Sequence, residues 1–349
     1  MEKNISGMLV ETVVKKALKN IKDNPERGIR NLVDRALQFS SGRFQKNFFA
    51  VAQAMLQNEN SAYYGLVRDT VAYADMERLY TFCMNLGYNS CTVGAQRIRR
   101  NEEKMNCNIP WTVSVQIDTR KFAERKAKYD TLIQDGENLG IYTWMLFGMD
   151  DPQQVLRFAG EHPDSAFCIF CEAKNLTASF LDEATDFFNV MLVVQYEENI
   201  AELCSTMREM GLLYSVWYRY EQKDVEDIIN GNLFNSSQQF SPIFTVLVPA
   251  VECPKEIRHV VYLTAKQARN SQMYRSIIWD FQGDNLQIDS IISGDACYVN
   301  FGKEGNLYNW DKKFENGCYN LFQRELPDIL KTVYSKNIRE GMLEESKIE

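Results

Sequence analysis

Apolar positions recur at helical spacing from residue 8 to residue 40. Leu9, Val13, Val14, Ala17 and Ile21 mark one stripe, and Ile29, Leu32, Val33, Ala36 and Leu37 mark a second. Between them Asp23-Asn24-Pro25-Glu26 reads as a helix start, with Asn24 as cap and Pro25 in the first turn, where its missing N–H costs nothing. Further helical stretches carry Phe48, Phe49, Val51, Ala52 and Met55, then Leu79, Phe82 and Met84. Residues 1–105 are expected to form a helical region. The basic run Arg97-Ile98-Arg99-Arg100 adjoins Glu102-Glu103 and reads as a solvated helix end.

From Trp111 the pattern changes to short β-rich runs separated by amphipathic segments. Strands are predicted at Thr112–Asp118, Tyr142–Gly148, Ala166–Cys171, Val190–Tyr196, Tyr214–Tyr220 and Ile243–Val251. Helices are predicted at Asp130–Leu139, Pro152–Gly160, Ala178–Phe188, Ile200–Met210, Asp224–Ile229 and Glu256–Arg269. Each helix returns the chain to the same end of the sheet, so the strands should pair in parallel. The expected fold class is α/β: six β/α units over residues 106–272 suit an open or partly closed barrel as well as a doubly wound sheet, with the N-terminal helical region before them and a C-terminal β-hairpin extension after them. That extension, residues 273–330, holds Ser276–Phe281, Cys297–Phe301 and Leu307–Trp310 as strand candidates. Gly302-Lys303-Glu304-Gly305-Asn306 is the turn between the last two. Residues 331–349 read as a charged tail.

Composition narrows the function classes. The longest apolar runs, Val190–Val194 and Ile243–Val251, fall far short of the ~20 residues needed to cross a bilayer. Glu11, Lys15 and Lys16 interrupt the first apolar stretch, so no signal-peptide core is present and a cytoplasmic location is expected. Lys and Arg number 39 against 47 Asp and Glu, a net charge of −8, which argues against nucleic acid and anionic membrane as partners.

Nine cysteines first suggest metal, but their positions do not. Cys168-Ile169-Phe170-Cys171 lies in a predicted strand, where side chains three apart face opposite ways and cannot converge on one ion. Cys83, Cys91, Cys107, Cys204, Cys253, Cys297 and Cys318 are scattered, with Cys253 best placed to face a barrel mouth. In a reducing compartment they are not read as disulfides. His162 and His259 are the only histidines, and neither lies at a predicted strand's C-terminal end. That count argues against a Ser-His-Asp or Cys-His hydrolase and against a His-rich zinc site.

Several stretches resemble radical S-adenosylmethionine (radical SAM) enzymes, specifically a subgroup with an N-terminal helical extension. They are Pro110-Trp111 before the first strand, Gly136-Glu137-Asn138-Leu139-Gly140-Ile141-Tyr142 entering the second, and Glu161-His162-Pro163-Asp164-Ser165-Ala166-Phe167 entering the third. Leu181-Asp182-Glu183 and Trp279-Asp280-Phe281-Gln282-Gly283-Asp284 complete the set. The resemblance implies a partial (β/α)6 TIM-like barrel of the radical SAM type over residues 106–272, with chemistry at the C-terminal strand ends.

The family's catalytic signature is missing. It places three cysteines, C-x3-C-x2-C, in the loop after the first strand to hold a 4Fe–4S cluster. Here the strand runs into Thr119-Arg120-Lys121-Phe122-Ala123, and no cysteine lies between Cys107 and Cys168. Lys and Arg cannot replace thiolates on iron. The family's Gly-Gly-Glu-Pro, which contacts S-adenosylmethionine, becomes Phe147-Gly148-Met149-Asp150-Asp151-Pro152. Gly148 keeps a close backbone approach in the functional reading, with Asp150 or Asp151 as carboxylate. The simpler reading is a strand end followed by an Asp cap and a first-turn Pro. The hairpin motif Asp-x-Glu-Pro-Cys becomes Asn306-Leu307-Tyr308-Asn309-Trp310.

The candidate ligand-binding residues are therefore those at predicted strand ends: Asp118 and Arg120, Gly148, Asp150 and Asp151, Glu172 and Lys174, Gln195 and Glu197, Arg219, and Glu252, with Trp144, Tyr196, Trp217 and Tyr218 interleaved. Two readings follow. In the first, a member of this family without its cluster acts by binding, its partner an active radical SAM homologue, a peptide or protein, or a small ligand. In the second, an enzyme of another class uses the mouth carboxylates and retains S-adenosylmethionine binding. The first expects no cofactor and no metal.

Overall fold

The computed structural model describes residues 5–39, 43–295, 297–309, 312–313 and 319–336. The expectations for Trp310, Cys318 and the tail beyond residue 336 lie outside these residues. The chain opens with α1 (Ile5–Asp23), α2 (Pro25–Phe39), α3 (Arg43–Met55), α4 (Ala62–Tyr73) and α5 (Met76–Cys83). A π-helix, Met84–Gly94, then leads into α6 (Ala95–Met105). At the break between α1 and α2, Arg27 N–H donates to Asn24 Oδ1 at 3.0 Å, as a capping Asn should accept.

Alternation follows in the predicted order: β1 (Thr112–Gln116), α7 (Phe122–Leu139), β2 (Thr143–Phe147), α8 (Pro152–Gly160), β3 (Ala166–Cys171), α9 (Ala178–Ala184) and β4 (Val190–Gln195). It continues through α10 (Ala201–Glu209), β5 (Tyr214–Tyr220), α11 (Val225–Ile229), α12 (Asn232–Ser237), β6 (Phe244–Pro249) and α13 (Lys255–Ser271). Six residues with no apolar repeat, Asn232-Leu233-Phe234-Asn235-Ser236-Ser237, hid α12 from the periodicity.

The parallel sheet does not stop at the sixth unit. β7 (Ile277–Asp280) pairs in parallel with β6, and α14 (Phe281–Ile292) then leads to β8 (Val299–Phe301), which pairs in parallel with β1. β9 (Leu307–Asn309) and β10 (Lys312–Lys313) add antiparallel strands outside β8, and α15 (Leu326–Val333) follows. The order is β10-β9-β8-β1-β2-β3-β4-β5-β6-β7. β7 and β8 lie at the two ends of the parallel run without pairing, so the barrel is partial.

α14 fills the gap. Phe281, Asn285 and Asp289 recur at i, i+4 and i+8, which puts them on one face of the helix. The Phe281 ring lies 5.6 Å from Phe147, 5.5 Å from Phe170 and 6.2 Å from Tyr298. Asn285 Nδ2 reaches Met145 Sδ at 3.4 Å, and Asp289 Oδ1 accepts from Trp111 N–H at 2.8 Å. The helix thus descends the inside of the wall from the C-terminal to the N-terminal end. Its outer side approaches α13 closely: a Cβ on Gly283 would sit 2.3 Å from Tyr262 Cδ2.

The open edge of β7 is sealed by side chains. Arg269 Nη1 donates to Ile278 O at 2.6 Å, and Asp284 Oδ2 accepts from Asp280 N–H at 2.7 Å. Those backbone groups flank Trp279, and a neighbouring parallel strand would engage the same two. Arg269 and Asp284 hold each other through two contacts of 2.6 Å, with their side chains 18% and 6% exposed.

The N-terminal end of the barrel is covered by the helical front. Leu18, Ile21, Val71, Ala74, Leu79 and Phe82 form a cluster with Ala166, Met191 and Leu213 from the strand starts. The π-helix fixes the same end through polar contacts. Asn85 Nδ2 donates to Pro163 O and Ser165 O, Asn89 Nδ2 donates to Asp164 O, and Thr143 Oγ1 donates to Ser90 Oγ. Among the described residues no helix is long and apolar enough to cross a membrane.

Asp280 caps α14 by accepting from Gly283 N–H at 2.6 Å, and its second oxygen lies 3.5 Å from the Tyr220 hydroxyl. It is buried. That burial, reinforced by the charge of Asp284, pushes its carboxyl up to about 7 despite the Gly283 N–H and Arg269.

Two outcomes follow. Arg269→Met leaves Asp284 buried and unpaired and the Ile278 carbonyl uncapped, so urea unfolding should show a loss of about 3 kcal/mol. Arg269→Met with Asp284→Leu should lose less than Arg269→Met alone. For Asp280, a raised carboxyl contributes stability that is complete below the ordinary carboxylate range and is lost as pH rises through about 7. Asp280→Asn keeps a capping side chain without the titration. Its melting temperature relative to the parent should therefore be higher at about pH 8 than at about pH 5; a pH-independent difference would refute the assignment.

Candidate functional site

With the N-terminal end and the lateral gap occupied, the concave C-terminal end of the sheet is where a site can form. The pleat decides what lines it, because alternate residues face inward. Gln116, Phe147 and Phe170 are in register across β1, β2 and β3, and Gln195 pairs with Trp217 across β4 and β5. Phe147 stacks on Phe170 with centroids 4.3 Å apart. Trp217 meets these two rings edge-on at 6.2 and 6.1 Å, and Phe281 completes a floor of four aromatic rings. The Trp217 indole N–H donates to Cys171 O at 3.3 Å, which locks its ring across the sheet.

One wall of this floor is polar. Ser114 Oγ donates to Asn300 Oδ1 at 2.7 Å and lies 3.0 Å from the Tyr298 hydroxyl. Gln116 Nε2 donates to the Tyr308 hydroxyl oxygen at 2.7 Å. Burial raises the Tyr308 phenol, while hydrogen bonds from Asn300 and Gln116 and the charge of Arg219 pull it partly back. That last influence crosses the mouth, since Arg219 stands on β5 and Tyr308 on β9. Arg219 is exposed, two residues beyond Trp217 on the same face of its strand. Among the described residues it makes no hydrogen bond or ion pair.

The remaining rim charges are engaged locally. Asp118 is buried and caps the turn Thr119–Lys121; burial opposes its ionisation, but the Arg120 hydrogen bond and charge, with Lys121, hold the carboxyl below its ordinary value. Arg120 itself is 78% exposed. Asp150 pairs with Lys303 of the β8–β9 turn at 3.1 Å, and Glu172 pairs with Lys174 at 2.5 Å. Asp151 caps α8, accepting from Gln153 N–H at 3.2 Å. Glu197 and Glu252 are exposed. The structure thus brings Gln195 and Arg219 to the inward face of the mouth, while Asp118 and Asp151 serve as caps, Asp150 and Glu172 are ion-paired, and Glu197 and Glu252 are exposed.

Gln116, Phe147, Phe170 and Tyr308, with Ser114, Tyr298, Asn300 and Phe281, are not among the charged strand ends that the sequence singles out. Alternation from Trp217 would have found Phe147 and Phe170, because inward positions run in register across parallel strands. It would also have removed Trp144 and Tyr218, which face the other way. Phe281 had no comparable signal, since its place depends on α14 lying inside the wall.

The inner groups can accept and donate hydrogen bonds and attract an anion. Cys253 is buried with Tyr220 and Leu247 beneath α13, not in the mouth, and burial raises its thiol. Cys168 packs toward the helical front, whereas Cys171 donates toward Val193 O on the neighbouring strand. Among the described residues no group of three or more His, Cys, Asp or Glu could hold a metal ion. The loop after β1 offers Asp118, Thr119, Arg120 and Lys121, a set that does not fit an iron–sulfur cluster.

Gly148 has a packing role: a Cβ there would lie 2.8 Å from Val155 Cγ2 of α8. Gly148→Ala should therefore cost about 1–3 kcal/mol in thermal unfolding, and Val155→Ala in the same chain should offset part of it. Unchanged stability in Gly148→Ala would point back to a ligand cradle.

No protein-family model matches the sequence, and no curated protein does. Among solved structures, that of Streptococcus suis SuiB bound to S-adenosylmethionine is similar at a TM-score of 0.49 and 11% identity, covering 70% of this chain and 69% of SuiB. A second SuiB structure gives 0.48 and 11%, covering 70% and 71%. SuiB bound to the precursor peptide SuiA gives 0.48 and 11%, covering 72% and 70%.

Proposed function

We propose that this chain is a radical-SAM-like barrel that acts by binding, taking up a peptide, a partner protein or a small ligand at its C-terminal mouth without cluster chemistry. The observation that carries this reading is the mouth interior. An aromatic floor of Phe147, Phe170, Trp217 and Phe281 is bordered by amides, a phenol and a guanidinium. Gln116 and Asn300 carry amides that do not titrate, and burial raises the Tyr308 phenol, so these groups suit recognition better than proton transfer. Of the carboxylates that acid–base work would use, Asp150 and Glu172 are ion-paired, Asp118 and Asp151 serve as caps, and Glu197 and Glu252 are exposed.

The sequence resemblance supports the same reading from the other side. The stretches that resemble the family are those that build the barrel, and the departures fall where cluster and cofactor would be held. An active homologue or a peptide-modifying enzyme is the natural kind of partner for such a protein.

Anaerobic incubation of the purified chain with iron and sulfide should leave it without stoichiometric iron and without the visible absorbance of a cluster. A full 4Fe–4S complement would overturn the proposal. Calorimetric titration with S-adenosylmethionine should show no saturable heat, and tight binding would move the assignment to an enzyme that has kept this cofactor.

A further inference from the structure

We infer that the mouth selects ligands carrying a carboxylate beside an apolar or aromatic group, with Arg219 as the residue that receives the carboxylate. The inference rests on the mouth-binding reading and adds to it the chemistry of what is bound.

The cations around the mouth are mostly neutralised close by. Lys174 lies on Glu172, Lys303 on Asp150, Lys223 on Glu221 at 3.2 Å, and Arg120 on Asp118 at 3.4 Å. Each of these is neutralised by a carboxylate of the same rim. Arg219 differs: it stands on the inner face of β5, exposed, with no ion pair or hydrogen bond among the described residues. A guanidinium presents a planar fork of donors matched to a carboxylate, and the two-point contact is stronger than a point charge gives.

Its surroundings specify the rest of the ligand. Trp217 lies two residues below it on the same face, and Phe147, half-buried, meets Trp217 edge-on. Across the mouth the Tyr308 hydroxyl, fixed by Gln116, stands within the electrostatic reach of Arg219. Trp217, Phe170 and Phe281 are buried, so a ligand that lays an apolar group on the uncovered part of Phe147 would bring an attached carboxylate to Arg219. Gln195, in register with Trp217, adds an amide on the same side.

The experiment uses the full chain and two probes that differ in one group, N-acetylphenylalanine and N-acetylphenylalaninamide, titrated by calorimetry. The carboxylate probe should bind about tenfold more tightly than the amide. Arg219→Gln should remove that difference while leaving the weaker amide binding in place, and Arg219→Lys should restore only part of it. Lys223→Gln, which removes an equal charge from the following loop, should leave the preference intact. Equal binding of the two probes, or a preference that survives Arg219→Gln, would overturn the inference and leave the mouth-binding reading standing. Binding of neither probe at millimolar concentration would overturn both.

Discussion

A parallel sheet that curls without closing leaves the backbone groups of its last strand facing whatever packs beside it. In this protein the exposure falls on β7, and the groups at stake are the carbonyl of Ile278 and the N–H of Asp280. Buried backbone groups without partners are costly, so the wall can stay open only if something else engages them. The Arg269–Asp284 pair does so with the donor and acceptor that a further strand would have offered. It also joins α13 to α14, so the seal of the edge and the seating of the helix are one interaction. Everything above it depends on that seating, because Phe281 reaches the floor of the mouth only when α14 lies inside the wall.

The site inherits its character from this arrangement. A helix supplies larger side chains to an interior than hydrogen-bonded backbone would, and here it supplies an aromatic ring and an amide. The volume near the axis is thereby filled by protein. In the proposed binding function, recognition would fall to the residues above the floor, on the inward positions of β1, β5 and β9. The outer rim, rich in charge, is largely self-neutralised and contributes solubility and caps.

Much of the barrel was legible in the sequence because burial on both faces of a parallel sheet produces continuous apolar runs, and the helices between them keep a 3.6-residue period. The strands Ala166–Cys171 and Tyr214–Tyr220 are read to the residue. The partial-barrel architecture was legible through the family resemblance, since six β/α units suit a doubly wound sheet as well, and the terminal hairpin through the turn Gly302-Lys303-Glu304-Gly305-Asn306. The site was less so. Charged residues at strand ends are conspicuous in a sequence, but loops are polar whether or not they function. Asp150 and Glu172 proved to face cations close by. What distinguishes Arg219 is the lack of such a neighbour, a property of three dimensions. The position of Phe281 was likewise hidden, because Trp279-Asp280-Phe281 has the same local pattern whether the next helix packs outside the sheet or within it.

The filling of the lateral gap has a consequence for approach. A half-open barrel can be entered from the side, and an extended chain can then lie across the sheet with several residues in contact at once. α14 blocks that route along most of the wall's height, from Phe281 at the floor to Asp289 against Trp111. What remains is entry along the axis, through an aperture bounded by β5 on one side and the β8–β9 turn on the other. Under the proposed binding function, a polymer arriving that way would be read one residue deep, by a protruding side chain or by its end, and specificity would be for a single group and not for a sequence.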